Sequence, residues 1–349
     1  MGCCTAATID FRFRGKALRD KPNSPLLKQS RKTGKPSMDL GKATPGNRKL
    51  STATLDDVFS DDITIPAMDG YALAATLFLP RGPKRNAVVI NSATATLRRV
   101  YRGFASYLAH GGSAVLIYDY RGIGGSRPVG SEGDGRPKSL AGFKASMADW
   151  AALDITAAVG WMRERYQELP LSYVGHSFGG QALGLLPNNG EVSRALLVAA
   201  QAGYWRLMAS PERYRVAAFM NLVGVPLAHL LGYAPGRLGI GEDLPKDAFL
   251  QWTRWVMSPH YLFDDVTLGG LKNCANFKGA LRALAFADDP WATRPAVELL
   301  CNHLTGTTAE IILVNPAELG ARKIGHFGFF RPEQRETLWR GAAEWLAGE

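Results

Sequence analysis

Two kinds of hydrophobic pattern alternate along the chain from about residue 60 onward. Short apolar runs rich in Val, Ile, Leu and Ala are separated by longer segments in which apolar residues recur at helical spacing. The runs predict buried strands and the longer segments predict amphipathic helices. Strands that alternate with helices in this way form parallel sheets with helices on both faces. The pattern therefore predicts an α/β fold with a mostly parallel sheet.

The predicted sheet begins with a hairpin. Segments 63–66 and 71–79 are its strands, and Asp69-Gly70, a strong turn dipeptide, lies between them. The other predicted strands are 87–91, 114–118, 171–174, 195–199, 281–287 and 310–314. The predicted helices are 98–110, 146–167, 178–186, 293–304 and 332–346.

The alternation is interrupted between residues 203 and 279. This segment is aromatic, helix-like and broken by five prolines, and its most apolar stretch, 216–233, contains Asn221, Pro226 and His229. Such an insertion predicts a helical cap over the C-terminal edge of the strands, where open α/β sheets bind ligands. A pair of apolar cap helices explains the stretch better than a membrane span. We therefore predict a core of residues 56–202 and 280–349, and a cap of residues 203–279.

The net charge of +10 comes from the N-terminal segment. Residues 1–50 contain 12 Lys and Arg against 3 Asp, so the rest of the chain is nearly neutral. Residues 1–55 show no sustained periodicity, which predicts a basic, disordered tail. Weak contact of this tail with an anionic membrane surface is an alternative. Because the folded part is nearly neutral, no nucleic-acid partner is expected.

The four cysteines predict reduced thiols. Cys3 and Cys4 lie in the tail, Cys274 and Cys301 are far apart, and no C-x-x-C pair is present. No apolar segment suited to a secretory signal follows the N-terminus. We expect a cytoplasmic protein. No metal site or cofactor is expected either, because the sequence has no H-E-x-x-H pattern and no phosphate-binding loop.

The motif with the clearest chemistry is Gly175-His176-Ser177-Phe178-Gly179. It follows the predicted strand 171–174 and opens the next predicted helix. A serine between strand and helix lies in a tight turn that exposes its hydroxyl, and the flanking glycines give that turn room. The motif predicts Ser177 as a nucleophile and the Phe178 amide as an oxyanion donor.

A serine nucleophile needs a base and a group that orients the base. In this kind of sheet the acid and then the histidine follow the serine along the chain. His326 is the one histidine after the last predicted strand, in a loop flanked by glycines. Asp288 and Asp289 both leave the strand 281–287. The turn fixed by Pro290 favours Asp289, and Asp288 remains the alternative.

Two further sets of residues are candidates for substrate contact. The loop after strand 87–91 should supply a second oxyanion donor, the amide of Ala93 or Thr94, although an ordinary loop has the same composition. Aromatic residues of the cap could line an apolar acyl pocket, and packing of cap helices against the core is the alternative for each of them. These candidates are Tyr204, Trp205, Trp252 and Trp255.

From about residue 60 to 349 the sequence resembles the α/β-hydrolase superfamily, nearest its serine-aminopeptidase and lysophospholipase-like branch. Asp119-Tyr120-Arg121-Gly122-Ile123-Gly124-Gly125-Ser126 resembles a turn common in that branch, and 325–331 resembles a group of bacterial predicted hydrolases of unsettled function. The resemblance implies that Asp119 and Arg121 organise the loop beside the nucleophile. Asn91-Ser92 departs from the family, in which many members have His-Gly.

Together, the motifs and the resemblance predict a serine hydrolase that works through an acyl-enzyme. The aromatic cap favours a carboxylic ester with a hydrophobic acyl or alcohol part. The same triad would serve a peptidase, a thioesterase or an acyltransferase, because fold and triad do not fix the leaving group. A catalytically silent binding protein with this fold is the alternative from another class.

Overall fold

The computed structural model describes residues 58–129 and 139–349, so the predicted tail, residues 1–55, lies outside the described residues. Within these ranges eight strands form the main sheet, in the order β1-β2-β4-β3-β5-β6-β9-β10. These strands are β1 Phe59–Pro66, β2 Ala72–Leu79, β3 Asn86–Asn91, β4 Ser113–Tyr118, β5 Leu171–His176, β6 Arg194–Val198, β9 Ala280–Phe286 and β10 Ala309–Val314.

The sheet is mostly parallel, as predicted. Strand β2 pairs antiparallel with β1 and with β4, and every other neighbouring pair is parallel. Gly70 makes the hairpin turn with a φ of +83°, a left-handed conformation that glycine adopts without strain. Every residue of β3, β4 and β5 is buried. Both faces of the central strands are therefore covered, which explains their continuous apolar sequences.

The predicted helices are present, with differences in their internal geometry. The helix predicted over 146–167 has Ser146 as its N-cap, in a capping box with Asp149, and contains a π-helical turn, Trp150–Ile155. The helices outside residues 203–279 are α1 Arg102–His110, α2 Met147–Asp149, α3 Thr156–Arg165, α4 Phe178–Gln181, α8 Arg294–His303 and α9 Arg340–Ala347.

Residues 203–279 contain helices and one small sheet. The helices are α5 Glu212–Phe219, α6 Val225–Leu231 and α7 Lys246–Met257, with a π-helical turn, Met220–Gly224, between α5 and α6. Strands β7 Tyr233–Ala234 and β8 Leu244–Pro245 pair antiparallel. The sequence did not predict this pair, because two-residue strands leave no periodicity. The described residues form one compact unit, so the predicted boundaries between core and cap stay predictions.

The cap segment lies against the loop that follows β3. The Glu242 amide, between β7 and β8, donates a 2.9 Å hydrogen bond to the Ala95 carbonyl. Helix α7 contacts the start of the α2 helix, where the Gln251 side chain accepts from the Ala148 amide at 2.9 Å. The loop after β3 is therefore covered by the insertion, at the C-terminal edge of the sheet.

The continuous stretch of α5, the π-helical turn and α6 is unusually exposed for its composition. Glu212–Leu231 has a mean hydropathy of 1.3 in its most apolar window, only 17% of which is buried. Leu222 and Leu230 are 75% and 78% exposed. By length and composition this stretch is the one candidate span in the described part of the chain, and a single candidate is weak evidence for membrane crossing. The cytoplasmic location stays a prediction.

Candidate active site

Ser177 lies in the turn between β5 and α4 in a strained backbone conformation. Its φ is +50°, which L-residues rarely adopt, and its amide donates a 3.0 Å hydrogen bond to the Val198 carbonyl at the end of β6. A Cβ on Gly179 would overlap the Asn91 carbonyl oxygen, and one on Gly175 would lie 2.5 Å from the Gly180 Cα. The flanking glycines are therefore required by close backbone approach, which keeps the turn tight.

His326 and Asp289 meet at the C-terminal edge of the sheet. The His326 Nδ1 lies 2.7 Å from the Asp289 Oδ2, and both side chains are almost completely buried. The other carboxylate oxygen accepts from the amides of Trp291 and Ala292, at 2.9 and 3.2 Å. A carboxylate held in this way accepts a hydrogen bond from Nδ1–H and leaves Nε2 of the imidazole for proton exchange.

Asp288 has a different set of partners. Its two oxygens accept hydrogen bonds from the amides of Ile324 and Gly325, both at 2.9 Å. Gly325 has a φ of +58° and directly precedes His326. Asp288 therefore fixes the backbone of the histidine loop, and Asp289 contacts the imidazole. Of the two carboxylates that the sequence left open, Asp289 is the one that the structure brings to His326.

The nucleophile turn and the histidine loop are joined through the residue before Ser177. The His176 Nε2 lies 2.9 Å from the His326 carbonyl oxygen, and the centroids of the two imidazole rings are 5.3 Å apart. His176 is completely buried, and this burial lowers its pKa well below the ordinary value. A neutral imidazole at the end of β5, directly before Ser177, therefore ties this strand to the loop that carries His326.

The two predicted oxyanion donors differ in their surroundings. Phe178 is the first residue of α4, where helix amides have no partner within the helix. The Ala93 amide is engaged, because it donates a 2.8 Å hydrogen bond to the Tyr101 hydroxyl. The Thr94 amide, the alternative in the same loop, has no acceptor among the described residues. The loop is anchored to the nucleophile turn by the Gly179 amide, which donates to the Ser92 carbonyl at 3.1 Å.

The turn from Asp119 to Ser126 is hydrogen-bonded to the segment after β3 and to the π-helical turn. The Asp119 carboxylate accepts from the amides of Arg98 and Gly125, at 2.6 and 3.0 Å. Arg121 pairs with Asp154, in the π-helical turn, with 2.7 Å between Nε and Oδ1. These contacts are consistent with the organising role that the family resemblance implies for Asp119 and Arg121.

Tyr120, between those two residues, connects the same turn to the site. Its hydroxyl donates to the Ser92 carbonyl at 2.9 Å. Its ring packs edge-on against Phe178, with 5.9 Å between ring centroids. Tyr120 therefore contacts both the nucleophile turn and the loop after β3.

Trp291 is a site residue that the sequence analysis missed. Its ring packs edge-on against the His326 imidazole, with 4.9 Å between centroids, and its indole N–H donates to the Glu212 carboxylate at 3.1 Å. Trp291 therefore connects the histidine to the first residue of α5. Its position two residues after Asp289 was the available signal, but chain proximity does not show where an indole ring points.

The predicted pocket aromatics fall into two groups. The rings of Tyr204 and Trp205 contact each other, with 6.4 Å between centroids, and both residues are half-buried. Trp252 and Trp255 lie on α7, where Trp252 is half-buried. The Trp255 indole is buried and donates to Asp265 at 2.8 Å, which fixes it in the packing of the cap segment. A role for these four residues in substrate binding stays a prediction.

A family model matches the middle of the chain. The model of the family described as serine aminopeptidase, S33, matches residues 82–237, which include β3, the nucleophile turn and the first part of the cap segment. This match agrees with the strand order and the turn geometry. The chain has the α/β-hydrolase fold, and its residues 82–237 are similar to this family. No curated protein matches this chain by sequence.

Solved structures share the fold of this α/β-hydrolase at low sequence identity. A soluble variant of the monoglyceride lipase of Saccharomyces cerevisiae, in complex with a substrate analog, is similar with a TM-score of 0.59 and 15% identity, covering 87% of this chain and 98% of the lipase. A thermostable carboxyl esterase from Bacillus coagulans, in complex with glycerol, has a TM-score of 0.54 and 14% identity, over 83% and 98% of the two chains. An esterase of Pyrococcus furiosus has a TM-score of 0.52 and 14% identity, over 86% and 95%.

Proposed function

We propose that this α/β-hydrolase is a serine hydrolase that cleaves carboxylic esters through an acyl-enzyme, with Ser177, His326 and Asp289 as its triad. The observation that carries the proposal is the 2.7 Å contact between His326 and Asp289, in a loop whose His326 carbonyl is 2.9 Å from the side chain of His176, the residue before Ser177. A histidine oriented by a buried carboxylate beside a serine in a tight turn between strand and helix is the arrangement that activates the hydroxyl.

In the proposed mechanism His326 Nε2 takes the proton of the Ser177 hydroxyl as the oxygen attacks the ester carbonyl. Asp289 accepts the hydrogen bond from Nδ1–H and stabilises the imidazolium that forms. The Phe178 amide, at the start of α4, and an amide of the loop after β3 bind the developing oxyanion, each contributing roughly 3 kcal/mol in such sites. His326 then protonates the leaving alcohol, and water releases the acyl group by the reverse proton path.

A hydrophobic ester is favoured by the surroundings of His326. Trp291 packs edge-on against the imidazole and is hydrogen-bonded to Glu212, the first residue of the helical stretch Glu212–Leu231, whose most apolar window is largely exposed. An acyl chain that enters along this side would contact the apolar face of the Trp291 ring beside His326. The carboxyl esterase and the monoglyceride lipase among the structural neighbours support an ester substrate.

A peptidase is the second candidate, because the matching family model is described as a serine aminopeptidase. The two candidates differ in the leaving group and in the group next to the scissile carbonyl. An aminopeptidase recognises a free α-amine beside that carbonyl, and an esterase of the proposed kind recognises an apolar acyl chain there.

The experiment compares p-nitrophenyl esters of acetic, butyric, octanoic and lauric acid with aminoacyl p-nitroanilides. We expect kcat/KM for the esters to rise from the acetyl to the octanoyl ester, because each added methylene that is buried contributes about 0.8 kcal/mol. The p-nitroanilides should stay at the background rate. Faster turnover of an aminoacyl p-nitroanilide than of any ester would instead establish the peptidase.

A further inference from the structure

We propose that Tyr101 and His176 are positioning residues for the reaction, and that they form a buried hydrogen-bond relay between the loop after β3 and the loop that carries His326. The relay consists of three contacts. The Ala93 amide is 2.8 Å from the Tyr101 hydroxyl, that hydroxyl is 2.9 Å from His176 Nδ1, and His176 Nε2 is 2.9 Å from the His326 carbonyl oxygen. The inference rests on the proposed function of the triad.

The chemistry of the groups fixes the direction of every hydrogen bond in the relay. A carbonyl oxygen only accepts, so His176 Nε2 carries the proton toward His326. The imidazole is neutral, and its Nδ1 is therefore the acceptor. The Tyr101 hydroxyl must donate to that nitrogen, which leaves its oxygen lone pairs for the Ala93 amide. With the imidazole neutral, this arrangement of protons satisfies all four groups.

The relay is closed off from water by the residues that follow His326. Tyr101 and His176 are completely buried. The Phe330 ring packs against both of them, with centroid distances of 4.7 Å to Tyr101 and 4.9 Å to His176. Phe327 packs edge-on against His176 at 5.0 Å. Phe327 and Phe330 therefore enclose the relay. In such a buried environment hydrogen bonds are stronger, and an unpaired polar group is costly.

The relay positions two loops for the reaction, the loop that carries His326 and the loop after β3. The relay holds the backbone of His326 relative to β5, the strand that ends directly before Ser177, and it holds Ala93 in the loop that should supply an oxyanion donor. It also engages the Ala93 amide, so we assign the second oxyanion contact to the Thr94 amide. Both assignments predict that loss of the relay changes the chemical step and leaves ester binding nearly unchanged.

The test is Tyr101→Phe, which removes the hydroxyl and keeps the ring. The matched control is Tyr118→Phe, because Tyr118 is also completely buried and its hydroxyl donates a 2.7 Å hydrogen bond to Asn91. We expect Tyr101→Phe to lower kcat for p-nitrophenyl butyrate by at least about tenfold relative to Tyr118→Phe, with KM changed by less than about twofold. His176→Gln, which can still donate to the His326 carbonyl, should retain more of the wild-type kcat than His176→Ala.

Two results would overturn the relay. One is an equal kcat in Tyr101→Phe and Tyr118→Phe while the wild type is active. This result would contradict the proposed relay and would not affect the proposed triad. The other comes from nitrogen NMR of the wild-type histidines, which does not depend on whether any variant folds. We expect His176 as the Nε2–H tautomer, and a proton on Nδ1 would contradict the assigned direction. A folded wild type that neither hydrolyses esters nor reacts with a serine-directed fluorophosphonate probe would instead count against the triad itself.

Discussion

Replacing Ser177 with alanine should lower kcat for ester hydrolysis by about a millionfold, the loss seen when the nucleophile of such a triad is removed. The reason is that His326 and Asp289 can activate the hydroxyl but supply no nucleophile of their own. The fold should persist, because the Ser177 amide and not its side chain makes the contact with Val198. The measurement is kcat for p-nitrophenyl butyrate under single-turnover and steady-state conditions.

Ser172→Ala is the matched control for that variant. Ser172 lies on the same strand, β5, is completely buried, and donates through its hydroxyl to the Leu346 carbonyl at 3.0 Å. We expect this change to cost about 1 kcal/mol of the free energy of unfolding and to leave kcat unchanged. Residual turnover above about one hundredth of the wild-type rate in Ser177→Ala would exclude Ser177 as the nucleophile.

The adjacent carboxylates should separate by the size of their effects. Asp289→Asn should lower kcat by about ten-thousandfold, because an amide in that position stabilises neither the correct tautomer nor the imidazolium. Asp288→Asn should lower kcat by only about tenfold, because the asparagine oxygen still accepts one of the two amides of the histidine loop. The measurement is kcat of both variants on the same ester.

This pair of variants needs no other control, since each is the matched control for the other. The two changes are isosteric, remove the same charge and affect neighbouring positions. The reverse order, with the larger loss in Asp288→Asn, would show that the acid of the triad had been assigned to the wrong residue. Equal losses would indicate a role for net charge at this edge of the sheet.

The sequence predicted the sheet well because its strands carry strong local patterns. Strands β3, β4 and β5 lie within two residues of their predicted bounds, since each is a continuous apolar run between polar breaks. The β7 and β8 pair was missed because two residues make no period. The π-helical turn at Trp150–Ile155 was also missed, and so was the contact that Asp154 in this turn makes with Arg121, because helical spacing encodes neither.

The candidate site was predictable only as far as its parts are local. Ser177 has a motif of its own, and His326 follows from chain order. Asp288 and Asp289 could not be separated securely, because adjacent residues in a turn differ in side-chain direction, which only tertiary structure fixes. The contact between His176 and His326 spans 150 positions, and that between Trp291 and Glu212 spans 79. Contacts between such distant positions leave no pattern in a single sequence.

The most direct test of an activated serine at position 177 is intact-mass labelling with a fluorophosphonate probe. The probe reacts with a serine whose hydroxyl is activated by a base, and it does not require the natural substrate. We expect a single adduct on the wild type and on Ser172→Ala, and no adduct on Ser177→Ala. An adduct that persists in Ser177→Ala, or a folded wild type that takes up no label, would contradict the proposed triad.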